Sequence, residues 1–462
     1  MRIPDLLWLT AKAFLIALVL SPIVRDIFHA YHVVDRPDYR KVHVYPIPRL
    51  GGLSLGIAYA IAVMTTPGLA GQDPLVAKLL PAAGLVLLLG IADDFFSIPA
   101  VYKLAGQIAS AAVAFLSGLR IERIGDLPVS YYVSFAVTVL WLLLVMNAFN
   151  LIDGLDGLCG GMGFIGAIGL FAAAHMRAQS SLDHAMLPLA GALLGFLFYN
   201  FSRATLFLGD SGALLIGFLV GAGGILLVAQ TPSGSAPVSP AVAAMVVAVP
   251  LLDVGLSISR RFLGNRPIFG ADRGHVHHRL LDAGKTSRAA VLSLYLWAAV
   301  GAGFAILLML GTAPWQALVL FVFAGVVLAG VRSLRYPEFR MAGKLFLGEF
   351  RTAVQRKEKV ANLAEKIARS RSEEDCWDML AGFGNGIGWA ELVWTKDGEV
   401  LRRKVFVDGV PRDWSFRIAL TARDALVVQG GFGAKQEGVI DMLEFAQSMR
   451  DSIATASKGW SR

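Results

Sequence analysis

The sequence predicts an all-α polytopic membrane domain of about 11 transmembrane helices, followed by a C-terminal soluble α+β domain. Three observations carry that expectation. Of 462 residues, 56% are apolar and only 16% charged, whereas soluble chains average about 25% charge. Mean hydropathy is +0.61. Charge is also confined: Asp, Glu, Lys and Arg number 36 in residues 1–331 but 40 in residues 332–462. The break at Val331-Arg332-Ser333-Leu334-Arg335 separates a membrane domain, 1–331, from an accessory domain, 332–462.

The same composition excludes disorder and collagen-like structure. Two cysteines, Cys159 and Cys376, support neither a disulfide framework nor a four-thiolate metal site. A net charge of +8 resembles a nucleic-acid signal until it is located. Most of the excess lies in short connections between apolar runs, so it speaks of topology, and no nucleic-acid partner is expected.

A helix crossing the hydrocarbon layer needs about 20 mostly apolar residues. Runs of that kind fall near 6–28, 50–67, 75–92, 99–119, 131–147, 157–176, 185–200, 212–229, 239–258, 290–311 and 314–331. The first lacks a small-residue cleavage site and reads as a span rather than a signal peptide. The connection 29–49 carries Arg36, Arg40, Lys41 and Arg49, and 259–288 carries seven Lys or Arg, while 68–74, 230–238 and 312–313 carry none. By the positive-inside rule the N-terminus lies outside, and the basic loops and C-terminal domain lie in the cytoplasm.

Span parity then gathers the unusual polar residues on that one face, as an interfacial active site requires; a transporter site more often lies at mid-bilayer on interrupted helices. Asp93-Asp94 ends the apolar run Leu85–Ala92. It reads either as boundary charges capping the next helix or as a carboxylate handling a proton or metal, its pKa raised by its neighbour. Asn147, Asn150, Asp153 and Asp156 recur every three residues, which would align them on one helical face. Such oxygen-rich groups suit a hard cation or the edge of a base, or else Asx caps of a glycine-rich turn. Asp210 in Phe207-Leu208-Gly209-Asp210-Ser211-Gly212 reads alone as a helix cap, and beside a diphosphate as a Mg²⁺ ligand. His275-Val276-His277-His278-Arg279 lacks zinc-ligand spacing, and its donors suit a phosphate-rich substrate.

Together these segments resemble the polyprenyl-phosphate N-acetylhexosamine-1-phosphate transferases, glycosyltransferase family 4, over about residues 1–331. Five motifs in order carry the resemblance: K-x-H-x-x-P-x-P-R-x-G-G at Lys41 to Gly52, D-D at Asp93-Asp94, N-A-x-N-x-x-D-G-x-D-G at Asn147 to Gly157, F-L-G-D-S-G at Phe207 to Gly212, and H-V-H-H-R-L at His275 to Leu280. The resemblance implies transfer of an N-acetylhexosamine 1-phosphate, N-acetylglucosamine 1-phosphate foremost, from a UDP-N-acetyl sugar to polyprenyl (undecaprenyl) phosphate. UMP is released, Mg²⁺ is required (Mn²⁺ as a substitute), and the reaction opens cell-envelope glycan assembly, including lipopolysaccharide and cell wall, at the inner leaflet of the cytoplasmic membrane. The H-V-H-H-R-L form resembles the N-acetylglucosamine branch. Arg203-Ala204-Thr205 stands where relatives often read Pro-Ala-Lys, a departure that bears on sugar choice.

Carried over residue by residue, the resemblance gives Asp93 the acceptor's last proton, with Asp94 fixing it or sharing metal contact. Asn150 and Asp210 would hold Mg²⁺. Asp153 and Asp156 would position metal or uridine, Phe207 would stack on uracil, and Lys41 belongs to the substrate-binding set. His275, His277, His278 and Arg279 would bind phosphate or sugar oxygens. Lys103 would meet the lipid phosphate or snorkel to the interface. In the C-terminal domain, 340–380 reads as a charged amphipathic helix, 389–395 and 399–407 as strands joined at Asp397-Gly398, and 436–455 as a helix. That order resembles an α+β ligand-binding or dimerisation module of the GAF type, leaving a homodimer open. The rival functions are a transporter or flippase with functional carboxylates and a polyprenyl-diphosphate phosphatase.

Overall fold

The computed structural model describes residues 3–31, 33–35, 46–66, 74–124, 127–176, 180–229, 239–263, 274–310, 312–334, 350–387, 389–406, 414–420, 424–430, 442–457 and 460. The chain divides into two compact units, Met1–Leu334 and Arg335–Arg462.

The first unit is helical: α1 Ile3–Ala30, α2 Gly51–Met64, α3 Pro74–Phe96, α4 Ala100–Leu116, α5 Tyr131–Ile152, α6 Leu158–His175, α7 Ser180–Asn200, α8 Gly209–Ala229, α9 Ser239–Val246, α10 Ala248–Leu263, α11 Val276–Asp282, α12 Ser287–Met309 and α13 Ala313–Ser333. Two short antiparallel pairs interrupt it, β1 Val34–Asp35 with β2 Ile47–Pro48, and β3 Arg123–Ile124 with β4 Leu127–Pro128. Among the described residues, eight helices are long and apolar enough to cross a membrane, or nine with α9 and α10 counted as one broken span. The helices α2 and α4, expected as spans, have 14 and 17 residues and fall short of that length. The expected span 239–258 is not continuous: its axis turns by 84° between α9 and α10. Pro250 explains the break, since it has no N–H to give the carbonyl four residues earlier.

Helix α8 is the hub, with 89% of its apolar stretch buried, against 6% for α13 at the edge. Neighbours reach α8 through glycines. A Cβ at Gly90 of α3 would come within 2.3 Å of Ser211 Cα, and one at Gly217 of α8 within 2.6 Å of Met146 Cα. Backbones this close tolerate no side chain between them. Gly90 lies one turn before Asp93, Ser211 follows Asp210, and Met146 precedes Asn147, so the same contacts bring three of the polar motifs together.

The second unit is α+β. Helices α14 Phe350–Ala368, α15 Glu373–Ile387 and α16 Met442–Ser457 accompany strands β5 Glu391–Lys396, β6 Glu399–Val405, β7 Trp414–Ala419 and β8 Asp424–Gly430. The sheet is antiparallel in the order β6-β5-β8-β7. Asp397 and Gly398 turn the first hairpin with φ of 49° and 86°, the left-handed pair that such two-residue turns require. Its core joins Leu363, Ile367, Trp377, Trp389, Trp394, Phe445 and Met449. The single helix expected over 340–380 is two in the described part, because α14 ends at Ala368 and Ser372 caps a new start by accepting from Asp375 N–H. Strands β7 and β8 were not expected.

Candidate active site

The polar motifs meet where α3, α4, α5 and α8 end or begin side by side. Asp94 accepts the N–H of Asp210 at Oδ1 (2.8 Å) and that of Ser211 at Oδ2 (3.1 Å). Those amides have no partner within their own helix, so Asp94 caps α8 from outside and its charge complements the positive helix end. Asp210 is thereby fixed at the start of α8. Its Oδ1 accepts from Asn150 Nδ2 at 2.7 Å and its Oδ2 from Lys103 Nζ at 2.6 Å.

Lys103 also pairs with Asp93 Oδ2 at 2.7 Å, and its side chain is only 16% exposed. It does not snorkel outward; it is the cation between two acids. The other oxygen of Asp93 accepts the N–H of Ile98 at 2.7 Å, closing the turn that leads from α3 into α4. One helical turn beyond Lys103, Gln107 exchanges amide hydrogen bonds with Asn147 at 2.8 and 3.4 Å. Together these contacts hold α4 against α5 beside the acids.

The three-residue polar period does not continue along one face. Helix α5 ends at Ile152, with Asp153 as its C-cap, and Gly157 at φ 76° starts α6. Asn150 and Asp153 stay near Asp210; burial, then the charges of Asp210 and Asp94, push the Asp153 carboxyl up to about 8. Asp156 turns elsewhere: its Oδ2 accepts the N–H of Ala204 at 3.0 Å, pinning the segment before α8. Phe207 in that segment is half-buried. Its N–H donates to Pro48 O (2.8 Å), and its carbonyl accepts from Gly51 N–H (2.9 Å), tying the Pro48–Gly52 and Phe207–Gly212 motifs together. Lys41 lies outside the described residues.

The histidine motif reaches the same region from α11. Asp253, fully buried in α10, accepts from His275 Nδ1 (2.9 Å) and from Val276 N–H (2.8 Å). His277 lies against the α5–α6 turn, where a Cβ on Gly154 would come within 2.3 Å of its Nε2. Its Nδ1 is buried with no hydrogen-bond partner among the described residues. Burial, then the neighbouring His278, pushes the His277 imidazole down to about 4, so it is neutral at neutral pH. His278 and Arg279 follow on the same short helix, both partnered.

Sequence reasoning missed Asp253 and Gln107 and left Lys103 outside the site set. The signal for Asp253 was present: an acid within an otherwise apolar run is a functional candidate by default. Lys103 and Gln107, four residues apart, share a face of an apolar helix.

Among the described residues no three His, Cys, Asp or Glu side chains form a cation cage. The donors nonetheless fit Mg²⁺, because one carboxylate oxygen each from Asp93 and Asp210 converges on a single cation position now taken by Lys103 Nζ. Mg²⁺ usually takes one or two protein carboxylates and completes its octahedron with phosphate oxygens and water.

Residues 76–228 match the family model described as glycosyl transferase family 4. The chain is 31% identical over 289 residues (62% of this chain, 79% of the relative) to the probable undecaprenyl-phosphate N-acetylglucosaminyl 1-phosphate transferase of Bacillus subtilis. It is 34% identical over 311 residues (60% and 75%) to the decaprenyl-phosphate N-acetylglucosaminephosphotransferase of Mycolicibacterium smegmatis. It is 29% identical over 331 residues (67% and 86%) to the undecaprenyl-phosphate alpha-N-acetylglucosaminyl 1-phosphate transferase of Escherichia coli.

Proposed function

The chain belongs to glycosyl transferase family 4, with the polyprenyl-phosphate N-acetylglucosamine 1-phosphate transferases, and on that premise we propose that it transfers N-acetylglucosamine 1-phosphate from its UDP derivative to a polyprenyl phosphate. An oxygen of the lipid phosphate attacks the β-phosphorus. The bond from that phosphorus to the bridging oxygen breaks, and UMP leaves with the oxygen. The observation that carries the reading is the acid cluster at one end of the helix bundle: Lys103 joins Asp93 to Asp210, Asp94 caps α8 beside them, and Asp153 feels the charges of Asp210 and Asp94. A lipid phosphate can reach such a place without its tail leaving the bilayer. The named relatives are transferases, and nothing in them supports a transporter.

Bound Mg²⁺, or Mn²⁺ in its place, would supply positive charge that neutralises and orients the diphosphate, and Asp210 and Asn150 would hold it. Lys103, held between Asp93 and Asp210, offers its ammonium to the entering phosphate oxygens. Asp93 takes the acceptor's last proton, a need greatest where the phosphate, with second pKa about 6, is still a monoanion. Asp94 keeps Asp210 in place through the start of α8. Asp153 would face the metal or the uridine, Asp156 shapes the nucleotide wall by holding Ala204, and Phe207 would stack on uracil. Neutral His277 offers a hydrogen bond to a sugar or phosphate oxygen, and His275, His278, Arg279 and Lys41 complete the donor side.

With α2, α4 and the broken α9–α10 counted as spans, the bundle crosses the inner membrane eleven times. The N-terminus is then outside, and the acid cluster and the accessory domain are cytoplasmic. That domain serves ligand binding or homodimerisation. The test is label transfer by purified protein: UDP-N-acetylglucosamine labelled at its β-phosphate should move label into an organic phase with stoichiometric UMP. Label released as free sugar phosphate, or no label moved with any UDP-N-acetyl sugar, would overturn the reading.

A further inference from the structure

A cleft separates α10 from α13, with α12 as its floor. Its walls are apolar, with Leu256 from α10, Trp297 from α12, and Phe323 and Val327 from α13. Trp297 lies against Gly330, where a Cβ would come within 2.9 Å of the ring, so α13 leans on α12 there and leaves the α10 side open. Polar groups stand at one end only. Lys285 donates to Ser293 Oγ at 2.8 Å, and Ser333 closes the last turn of α13 beside them. Helix α13 otherwise exposes apolar side chains such as Leu318, Phe321 and Leu328, as a lipid-facing helix does.

We propose that this cleft holds one chain of an anionic phospholipid of the surrounding bilayer, its headgroup phosphate on Lys285. Water in such a cleft would lack polar partners along the apolar walls, whereas hydrocarbon needs none. The free volume is about 150 Å³, so the cleft seats a stretch of a single chain, the rest lying in the bilayer, and has no room for a helix about 10 Å across. The basic end supplies charge complementarity to an anionic headgroup, at a surface where one Lys contributes about fivefold in occupancy.

A bilayer lipid, not the acceptor, is the occupant. Val276 and Leu280 of α11 face the cleft, while His277 of the same helix lies against Gly154. A phosphate on Lys285 therefore lies by the Val276–Leu280 face of the histidine helix, a different face from the one that His277 turns to Gly154.

Native mass spectrometry of the full-length protein released from nanodiscs of mixed phosphatidylglycerol and phosphatidylcholine tests the assignment without requiring turnover. The wild type should retain one phosphatidylglycerol in preference to phosphatidylcholine. Lys285→Glu should lower that preference about fivefold, and Val327→Trp should abolish retention of either lipid at an unchanged unfolding temperature. If Val327→Trp does not fold, Lys285→Glu decides alone. Equal retention of the two lipids by wild type, an unchanged preference in Lys285→Glu, or displacement of the retained lipid by added polyprenyl phosphate would each overturn the proposal.

Discussion

Lys103 holds Asp93 and Asp210 on one ammonium, and the histidine arm depends in the same way on one residue, Asp253. Replacing Asp253 by Ala would remove the carboxylate that accepts from His275 Nδ1 and the Val276 N–H, at about 1–3 kcal/mol for each buried group left unsatisfied. We expect a lower unfolding temperature and a rise in KM for the UDP-sugar larger than the fall in kcat. An unchanged KM in a destabilised variant would confine Asp253 to a structural part. Asp153 predicts a pH effect. Its folded pKa is raised from 3.8 to about 8, so between those values the folded chain keeps a proton that the unfolded chain has lost. Stability of metal-free protein should therefore fall as pH rises through that window, and Asp153→Asn should flatten the slope of unfolding temperature against pH. A wild-type curve that rises from pH 5 to 8 would contradict this. Asp93, Asp94, Asn150 and Asp210 were legible as polar breaks in apolar runs. Lys103 was not, because a lone Lys near a helix end is equally explained by snorkelling. The Asp253–His275 contact spans 22 residues, and no local period encodes it.

Helices are set against α8 by glycines, so the element scale is where small side chains should matter most. Gly90→Ala would place a Cβ within 2.3 Å of Ser211 Cα, backbone that cannot move aside cheaply. Helix α3 must then back away from α8, parting Asp93 and Asp94 from Asp210. Since a 1 Å misplacement can cost about 10²-fold in rate, we expect a loss of that order. Gly84→Ala on the same helix, with nothing within 4 Å of the added Cβ, should leave the rate unchanged and the unfolding temperature no lower, since alanine favours the helix over glycine. Equal behaviour of the two variants would remove the packing argument. Hydropathy located the long helices because a crossing segment must be apolar along its length. It could not register the 84° turn at Pro250, which leaves the apolar count of the run untouched. Strands β7 and β8 escaped because they are short and set among charged residues, Arg412, Asp413, Arg423 and Asp424.

Charge density alone divided the chain near Val331, and the contacts divide it at Leu334; the lesson is that solvent and lipid impose compositions too different to blur. All five motifs precede that boundary, so deletion of residues 345–462 should leave transfer measurable while changing stability or assembly. Complete inactivity of a well-folded truncation would place part of the chemistry in the second unit. What no composition reveals is that Asp94 acts through the backbone of α8 while Asp210 faces the cation position. If the Asp93–Lys103–Asp210 cluster carries sugar-phosphate transfer, label transfer from β-³²P UDP-N-acetylglucosamine to polyprenyl phosphate must separate wild type from Asp210→Asn. We expect transfer with UMP release by wild type, and a loss beyond about 10²-fold in the variant at an unchanged unfolding temperature. Transfer by a folded Asp210→Asn at the wild-type rate would contradict it.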